Sequence, residues 1–208
     1  QKAADLLEAA PEDVVLDAAT GAFHVVGSPR PSKTWAEIAI ASPVALFAEA
    51  DFTPEGATFP FGTHVSVVEV DTETGSVAIV RHIACDDAGT ILNPLIVDGQ
   101  VHGGVAQGIA QALLEEVRYD DGGNPITSNL ADYAFITAAE LPSFERIPME
   151  TPTPRNPLGA KGIGEAGTIG ATPAVQNAVI DAVHHLGVQH IDMPCTANRV
   201  WAALQSVR

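Results

Sequence analysis

The stretch from Asn156 to Gly170 reads NPLGAKGIGEAGTIG, and the interpretation of the whole chain starts from it. Five glycines fall within the twelve residues 159–170, around one lysine and one carboxylate, Lys161 and Glu165. Successive glycines let backbone N–H groups turn toward an anion, and the N-terminus of a following helix favours negative charge. The stretch therefore predicts an anion-binding loop that leads into a helix.

This loop differs from the common nucleotide-binding motifs. A Walker A loop requires Lys followed directly by Ser or Thr, whereas Gly162 follows Lys161. No suitable strand precedes the glycines, as a dinucleotide fingerprint requires. Glu165 would repel a phosphate unless it has its own task, and a general base beside a reacting centre is such a task. The alternative is structural, since the macrodipole also favours an acidic residue in the first turn of a helix.

A second glycine-rich segment, residues 93–108, reads NPLIVDGQVHGGVAQG. Residues 97–117, which contain its four glycines, are otherwise rich in helix formers, although each glycine inside a helix costs about 1 kcal/mol relative to Ala. Its four glycines therefore need a cause, and close approach to another backbone or to a ligand supplies one. We expect a helix here whose first turns touch a second element or a bound group.

Local patterns predict an α+β fold with mixed sheets and packed helices. Two β-branched runs, 63–71 and 75–86, are joined by a short turn and predict a hairpin. Residues 171–186 carry apolar side chains at helical spacing and end at a glycine, which predicts a helix. A short strand is predicted over 188–193, and an amphipathic helix over 196–207.

Composition divides the chain into two regions. Residues 1–60 are predicted to form an N-terminal helix, a small hairpin and a linker, and 61–208 the main domain. A capping box of Thr34 and Glu37 opens a second short helix in the first region. The segment 42–60 has three prolines and no apolar period, which indicates a loop or linker.

Charge and cysteine content exclude several classes of function. With 26 acidic and 10 basic residues the formal charge is −16, which opposes nucleic-acid binding. No apolar run approaches the roughly 20 residues of a membrane span. Cys85 and Cys195 lie far apart and form no C-x-x-C motif, which favours a reducing, cytoplasmic setting. The chain starts at Gln1 without a signal peptide, and we interpret it as a piece of a longer protein.

One cluster invites a zinc interpretation, namely His184, His185, His190 and Cys195. The adjacent histidines point about 100° apart on a helix, whereas zinc pairs usually have i, i+4 or turn spacing. Histidines in the last turn of a helix are also explained by the macrodipole. We therefore predict no metal site built from this chain's own side chains.

Together the two glycine segments, 156–170 and 93–108, resemble one family, the molybdenum hydroxylases, in the large subunit that binds molybdopterin. This family includes xanthine dehydrogenase, aldehyde oxidoreductase and aerobic carbon monoxide dehydrogenase. The resemblance extends from about residue 65 to the end of the chain and implies the C-terminal portion of such a subunit. The sequence of residues 159–165, Gly-Ala-Lys-Gly-Ile-Gly-Glu, favours the carbon monoxide dehydrogenase-like branch. The substrate, whether carbon monoxide, an aldehyde or an N-heterocycle, stays open.

The resemblance also implies roles for individual residues. Glu165 matches the family's catalytic glutamate beside the metal, which acts as a base. Gln100, which follows Gly99, matches a glutamine near the pterin and its dinucleotide extension. The loop that contacts the pterin side of the cofactor is matched by the backbone of four consecutive residues, Lys161, Gly162, Ile163 and Gly164.

The family's cofactors imply partners for this chain. The resemblance implies molybdopterin cytosine dinucleotide with molybdenum, together with iron–sulfur and FAD centres on separate subunits, and hence a hetero-oligomer. Two cysteines cannot ligate a four-cysteine cluster, so an iron–sulfur subunit, an FAD subunit and the remainder of the large subunit are implied partners. The isolated piece is expected to be inactive. Two other classes stay open, a non-catalytic assembly module with structural glycine loops and a zinc-dependent hydrolase.

Overall fold

A computed structural model describes residues 1–42, 44, 46, 47 and 49–208. These residues form two compact units, Gln1–Thr53 and Pro54–Arg208. The helices are α1 (Lys2–Leu7), α2 (Trp35–Ala41), α3 (Pro94–Leu113), α4 (Ala166–His184) and α5 (Ala197–Ser206). The strands are β1 (Val14–Asp17), β2 (Ala22–Val25), β3 (Ser28–Thr34), β4 (Phe61–Val70), β5 (Val77–Asp87) and β6 (Phe144–Met149).

The division at residues 60 and 61 stays a prediction, and part of the predicted linker, at residues 43, 45 and 48, lies outside the described residues. None of the helices in the described part of the chain combines the length and the apolar character that crossing a bilayer requires.

The first unit is a three-stranded antiparallel sheet, β1-β2-β3, with two short helices. Its predicted hairpin is confirmed, since β1 and β2 pair from Val14 opposite Val25 to Asp17 opposite Ala22. The predicted capping box is also present, with the Thr34 hydroxyl accepting a hydrogen bond from the Glu37 N–H at 3.3 Å. Both features are local, so a short window of sequence contains all the groups that make them.

The sheet of the second unit is mixed, which confirms the predicted fold class. β4 and β5 are antiparallel, from Phe61 opposite Asp87 to Val70 opposite Val77, and β6 lies parallel to β5 on the other side. The predicted hairpin is therefore present. Gly75 in its turn has a φ of 76°, a conformation that glycine adopts without a steric penalty.

Helices α3, α4 and α5 supply most of the core of the second unit, because their apolar stripes turn inward. The prediction of a strand over 188–193 is wrong, since that segment is irregular. Val188 and Ile191 are nevertheless buried in the core, which explains the apolar pattern. The other buried side chains of this core include Val97, Val101, Val105 and Ile109 of α3, Val175, Val179 and Val183 of α4, and Val200 and Leu204 of α5.

Candidate functional site

The two glycine-rich segments, 93–108 and 156–170, meet where β5 ends and α3 begins. Asn93 caps α3, its side-chain oxygen accepting from the Ile96 N–H at 3.2 Å, and Pro94 occupies the first helical turn. A proline there loses no helical hydrogen bond and has a suitable φ. The turn after β5 therefore ends in a well-defined helix start, and the carboxyl end of the strand lies beside the first turns of α3.

The glycine loop lies against this turn. The Lys161 N–H donates to the Ala88 carbonyl at 2.9 Å, and the Thr90 N–H donates to the Gly159 carbonyl, also at 2.9 Å. Gly89 has a φ of 63°, and a side chain at that position would collide with the Gly159 carbonyl. Backbone pairing therefore brings together two segments that lie about 70 residues apart in sequence.

The Lys161 side chain is not directed toward open space. Its Nζ lies 2.5 Å from Asp87 Oδ2, and the Asp87 carboxylate is fully buried. Burial would raise the pKa of Asp87, but hydrogen bonds from Lys161, the Thr151 N–H and the Gly89 N–H outweigh it and lower the pKa below its ordinary value. The Lys161 ammonium group is thus already paired within this chain.

Gln100 and the end of the glycine loop are neighbours. Gln100 lies on an exposed side of α3, and a Cβ atom built on Gly164 would be 3.3 Å from its Oε1. Glu165 follows directly as the N-cap of α4; it is exposed, and its side chain makes no capping hydrogen bond. The structure thus brings Gln100 beside the residue that precedes Glu165, although the two segments are far apart in sequence.

Backbone donors line the same place. In the part of the chain that the structure describes, the N–H groups of Gly162, Ile163 and Gly164 have no hydrogen-bond acceptor. They lie just before the N-terminus of the 19-residue helix α4, where the macrodipole favours negative charge. A mainly apolar cavity of about 240 Å³ lies between the turn after β5, the first turn of α3 and the loop, where Lys161 and Ile163 line it. The arrangement can accept an anionic group.

Two of the α3 glycines are explained by packing between helices. A Cβ atom on Gly104 would lie 3.0 Å from the Gly167 Cα, and one on Gly108 would lie 2.8 Å from the Ala171 Cβ. Thr168 Oγ1 donates to the Gly104 carbonyl at 3.0 Å, so the backbones of α3 and α4 are in direct contact. The expectation that glycines of this helix touch another backbone is confirmed for these two positions.

Gly99 and Gly103 of α3 and Gly162 of the loop behave differently. A Cβ atom at any of the three would meet nothing within 4 Å in the described structure. Contacts within this chain therefore give no reason for a glycine at these positions, although a helical glycine costs about 1 kcal/mol relative to Ala.

Sequence reasoning missed a buried polar chain on the inner face of the β4–β5 hairpin. Ser66 Oγ lies 2.7 Å from His82 Nδ1, His82 Nε2 lies 3.3 Å from His64 Nδ1, and His64 Nε2 lies 3.1 Å from both oxygens of Asp86. If each ring carries its proton on Nε2, Ser66, His82 and His64 each donate one hydrogen bond toward Asp86. Every member of this hydrogen-bonded series then has a partner. His64 also lies against Gly170, where a Cβ atom would be 2.6 Å from its ring. Polar residues at alternate strand positions, where apolar ones are expected, were the available signal.

The buried His82 predicts a pH dependence of stability. Burial, with a smaller contribution from the neighbouring His64, lowers its pKa from 6.5 to about 4. Between pH 6.5 and about 4, His82 is therefore protonated in the unfolded chain but neutral in the folded protein. The free energy of unfolding should fall as the pH drops through this interval. Urea unfolding across this interval measures the effect. Exchange of His82 for Gln should flatten the slope, whereas exchange of the exposed His185 should not; equal slopes in all three proteins would contradict the assignment.

The residues of the zinc interpretation do not converge. His184 and His185 are exposed at the end of α4, and Nε2 of the exposed His190 lies 3.0 Å from Asp192 Oδ1. Cys195 is buried in the core, where burial raises the pKa of its thiol. Within the described ranges, no group of three or more His, Cys, Asp or Glu side chains could hold a metal ion.

Comparison with known proteins identifies the family. A family model described as a molybdopterin cofactor-binding domain matches residues 1–142, more than half of the chain. The chain belongs to this molybdopterin-binding family. The large chain of carbon monoxide dehydrogenase from Hydrogenophaga pseudoflava is 40% identical over 211 residues, which cover 98% of this chain and 26% of the relative. The resemblance seen in the two glycine segments is thus confirmed, and this alignment reaches well beyond the residues matched by the family model.

Other members of the molybdopterin-binding family agree. The large subunit of nicotine 6-hydroxylase from Paenarthrobacter nicotinovorans is 36% identical over 216 residues, covering 99% of this chain and 26% of the relative. The structure of reconstituted carbon monoxide dehydrogenase from Oligotropha carboxidovorans matches 99% of this chain and 26% of that chain, with a TM-score of 0.88 at 37% identity. The chain therefore spans about a quarter of the length of the relatives it matches.

Proposed function

We propose that this chain is the C-terminal part of a molybdenum hydroxylase large subunit and that its glycine loop forms one wall of the active site. The observation that carries the proposal is the meeting of Gln100, Gly164 and Glu165 at one exposed place. In the alternative, a non-catalytic assembly module, the glycines would serve packing alone. Packing accounts for Gly104 and Gly108, but among the described residues it gives no reason for the exposed glycines Gly99 and Gly162.

The residues present fit a molybdopterin dinucleotide. Its phosphates require donors, and the N–H groups of Gly162, Ile163 and Gly164 have no acceptor among the residues that the structure describes. Its bulk requires backbone without side chains, which Gly99 and Gly162 provide. The Gln100 amide adds a donor and an acceptor beside this loop. We therefore propose that these residues bind the cofactor. The cytosine form of the dinucleotide is proposed from the family resemblance alone.

Glu165 has the properties of a general base at this site. When bound, the molybdenum cofactor supplies the oxidation chemistry and accepts two electrons. The Glu165 carboxylate is exposed and is not used to cap its helix, so it is available to take a proton from the oxygen nucleophile. Its position at the start of α4 keeps it next to the loop that would hold the cofactor.

The site is incomplete in this chain. Large apolar side chains surround it in exposed positions, with 60% of Leu92, 81% of Leu95 and 60% of Ile96 accessible. Contiguous apolar surface of this kind marks an interaction site. The relatives are about four times as long, and we propose that the remainder of the large subunit covers these residues and completes the pocket.

The electrons must leave through other centres. We propose a cytoplasmic hetero-oligomer in which separate subunits carry the iron–sulfur and FAD groups, because the two cysteines of this chain lie apart, one in the sheet and one in the helical core. For the substrate we propose carbon monoxide or an N-heterocycle, the compounds in the names of the relatives described above. The carbon monoxide branch is favoured by the sequence of the glycine loop. It is also favoured because the carbon monoxide dehydrogenase chain has a higher identity than the nicotine 6-hydroxylase subunit.

Exchange of Gln100 for Ala tests the site in the complete enzyme, assembled with its partner subunits. We expect the bound molybdenum per large subunit to fall by about 10-fold, because a polar contact to the cofactor is lost. Gln107, exposed on the same helix, gives a matched control, and its exchange for Ala should leave the molybdenum content unchanged.

The same preparations test the function itself. Wild-type enzyme should contain molybdenum and reduce an artificial electron acceptor when given carbon monoxide or an N-heterocycle. A correctly assembled wild-type enzyme without molybdenum, or one that oxidises none of these compounds, would contradict the proposed function. Equal molybdenum contents in the two glutamine variants would contradict only the assignment of Gln100.

A further inference from the structure

The ion pair between Lys161 and Asp87 is largely buried. Asp87 is fully buried and receives three donors: Lys161 Nζ at 2.5 Å, the Thr151 N–H at 2.5 Å and the Gly89 N–H at 3.3 Å. The Lys161 side chain is 10% exposed, and its Nζ lies 4.9 Å from the centre of the Phe61 ring. Carboxylate and ring face thus surround the ammonium group.

This pairing conflicts with a direct role for the Lys161 ammonium in binding phosphate. To reach an anion in the cavity, the side chain would have to leave Asp87 as an uncompensated buried charge, which is strongly unfavourable. The loop N–H groups of residues 162–164, which have no acceptor among the residues placed by the structure, are available for the anion instead. The lysine in this glycine loop therefore has another task.

Lys161 separates two parts of the loop. The residues before it are hydrogen-bonded to the turn after β5, whereas the N–H groups directly after it are not hydrogen-bonded within the described part of the chain. Before it, Gly159 accepts from the Thr90 N–H at 2.9 Å, and Lys161 itself donates its N–H to the Ala88 carbonyl at 2.9 Å. Directly after it, the N–H groups of residues 162–164 have no acceptor in the described chain. Only three residues separate Lys161 from Glu165, so a shift of Lys161 moves the catalytic carboxylate with it.

We propose that Lys161 and Asp87 are positioning residues, which act as one unit to hold the open segment 162–165 at the end of β5. This inference rests on the proposed function, because it concerns the placement of the loop donors and of Glu165. Lys161 acts through Asp87 and makes no contact with the cofactor. The chemical consequence is that backbone N–H groups bind the dinucleotide. The charge of the Lys161 side chain instead holds the loop in place through Asp87.

A double-mutant cycle in the complete enzyme tests the inference. The variants are Lys161→Met, Asp87→Asn and the double exchange, which keeps similar shapes and leaves no unpaired buried charge. We expect each single exchange to lower kcat per bound molybdenum by about 10-fold, with KM changed by less than about 2-fold, because the base is displaced. The double variant should be no worse than the poorer single one, since the residues act as a unit.

Two readouts besides activity separate the competing roles. If Lys161 bound phosphate directly, Asp87→Asn would leave the bound molybdenum unchanged or raise it, Lys161→Met would lower it, and the two effects would add. A purely structural pair would lower the unfolding temperature without changing kcat per molybdenum. Either result would overturn the inference. Arg199→Met, which breaks a partly exposed ion pair with Glu116, serves as the structural control and should affect stability alone.

Failure of the inference and failure of the proposed function give different results. Wild-type enzyme without molybdopterin would refute the proposed function, and with it the inference. Wild-type enzyme with molybdopterin, together with Lys161→Met and Asp87→Asn variants of unchanged kcat per molybdenum, would refute only the positioning role.

Discussion

Exchange of Glu165 for Gln in the complete enzyme is expected to lower kcat by about 100-fold to 10,000-fold, the range that a general base contributes. The amide has nearly the same shape as the carboxylate but takes up no proton. Because Glu165 is exposed and makes no capping hydrogen bond, the exchange should leave the fold and the molybdenum content unchanged. The measurement is kcat per bound molybdenum.

Glu69 provides the matched control for this exchange. It is an exposed carboxylate on β4, so Glu69→Gln makes the same chemical change away from the site and should retain full activity. Full activity of the Glu165 variant, with its molybdenum retained, would rule out the base role and favour the assembly-module alternative. Loss of molybdenum in that variant would instead assign Glu165 to cofactor binding, which also contradicts the base role.

Exchange of Gly108 for Val is expected to lower the free energy of unfolding by about 3 kcal/mol, the upper part of the usual range for overpacking. A Cβ atom at Gly108 would lie 2.8 Å from the Ala171 Cβ and 3.0 Å from the Thr168 carbonyl oxygen. Since one of these atoms is backbone, α4 itself must move to admit the side chain. Urea unfolding of the purified chain measures the loss.

Gly103 gives the contrasting result on the same helix. A Cβ atom there meets nothing within 4 Å, so Gly103→Ala should raise the free energy of unfolding of the chain by up to about 1 kcal/mol through helix propensity. If the Gly108 and Gly103 variants were equally stable, the close contact between α3 and α4 would be wrong. The comparison therefore separates glycines that serve helix packing from those left for another partner.

Features that depend on a few consecutive residues could be predicted. The Thr34–Glu37 capping box and the hairpin of β4 and β5 are both present, because hydroxyl, carboxylate and turn glycine lie within a few residues of their partners. The helix expected from the helix formers of residues 97–117 is also present, as α3 from Pro94 to Leu113. In each case the stabilising contacts are contained in a short window of the chain.

The start of α4 shows where such reasoning stops. The sequence predicts a helix from residue 171, whereas the helix begins at Ala166 and includes Gly167 and Gly170. Those glycines are poor helix formers, but Gly167 lies against the backbone of α3 and Gly170 against the His64 ring. Tertiary packing outweighs their low propensity.

In the glycine loop, too, some features could be predicted from the sequence and others could not. The residue types alone predicted an anion-binding loop with a separate task for Glu165, and the family resemblance added Gln100. The pairing of Lys161 with Asp87 was not predictable, because 74 residues lie between them along the chain. The His64–His82 contact was missed although both residues lie in the predicted hairpin, because it depends on the strand register, which places Ser66 opposite His82 and His64 opposite Ala84.

Periodicity, caps and turn residues thus establish the α+β class, and two short motifs are enough to identify the family. Which glycines touch α4, which cation is already neutralised and which loop donors stay open depend on how α3, α4 and the mixed sheet dock. Docking is governed by close packing and by the cost of burying unpaired charge, both of which sum over atoms from distant parts of the chain. No local window of sequence contains those atoms together, and therefore the folded arrangement settles these roles.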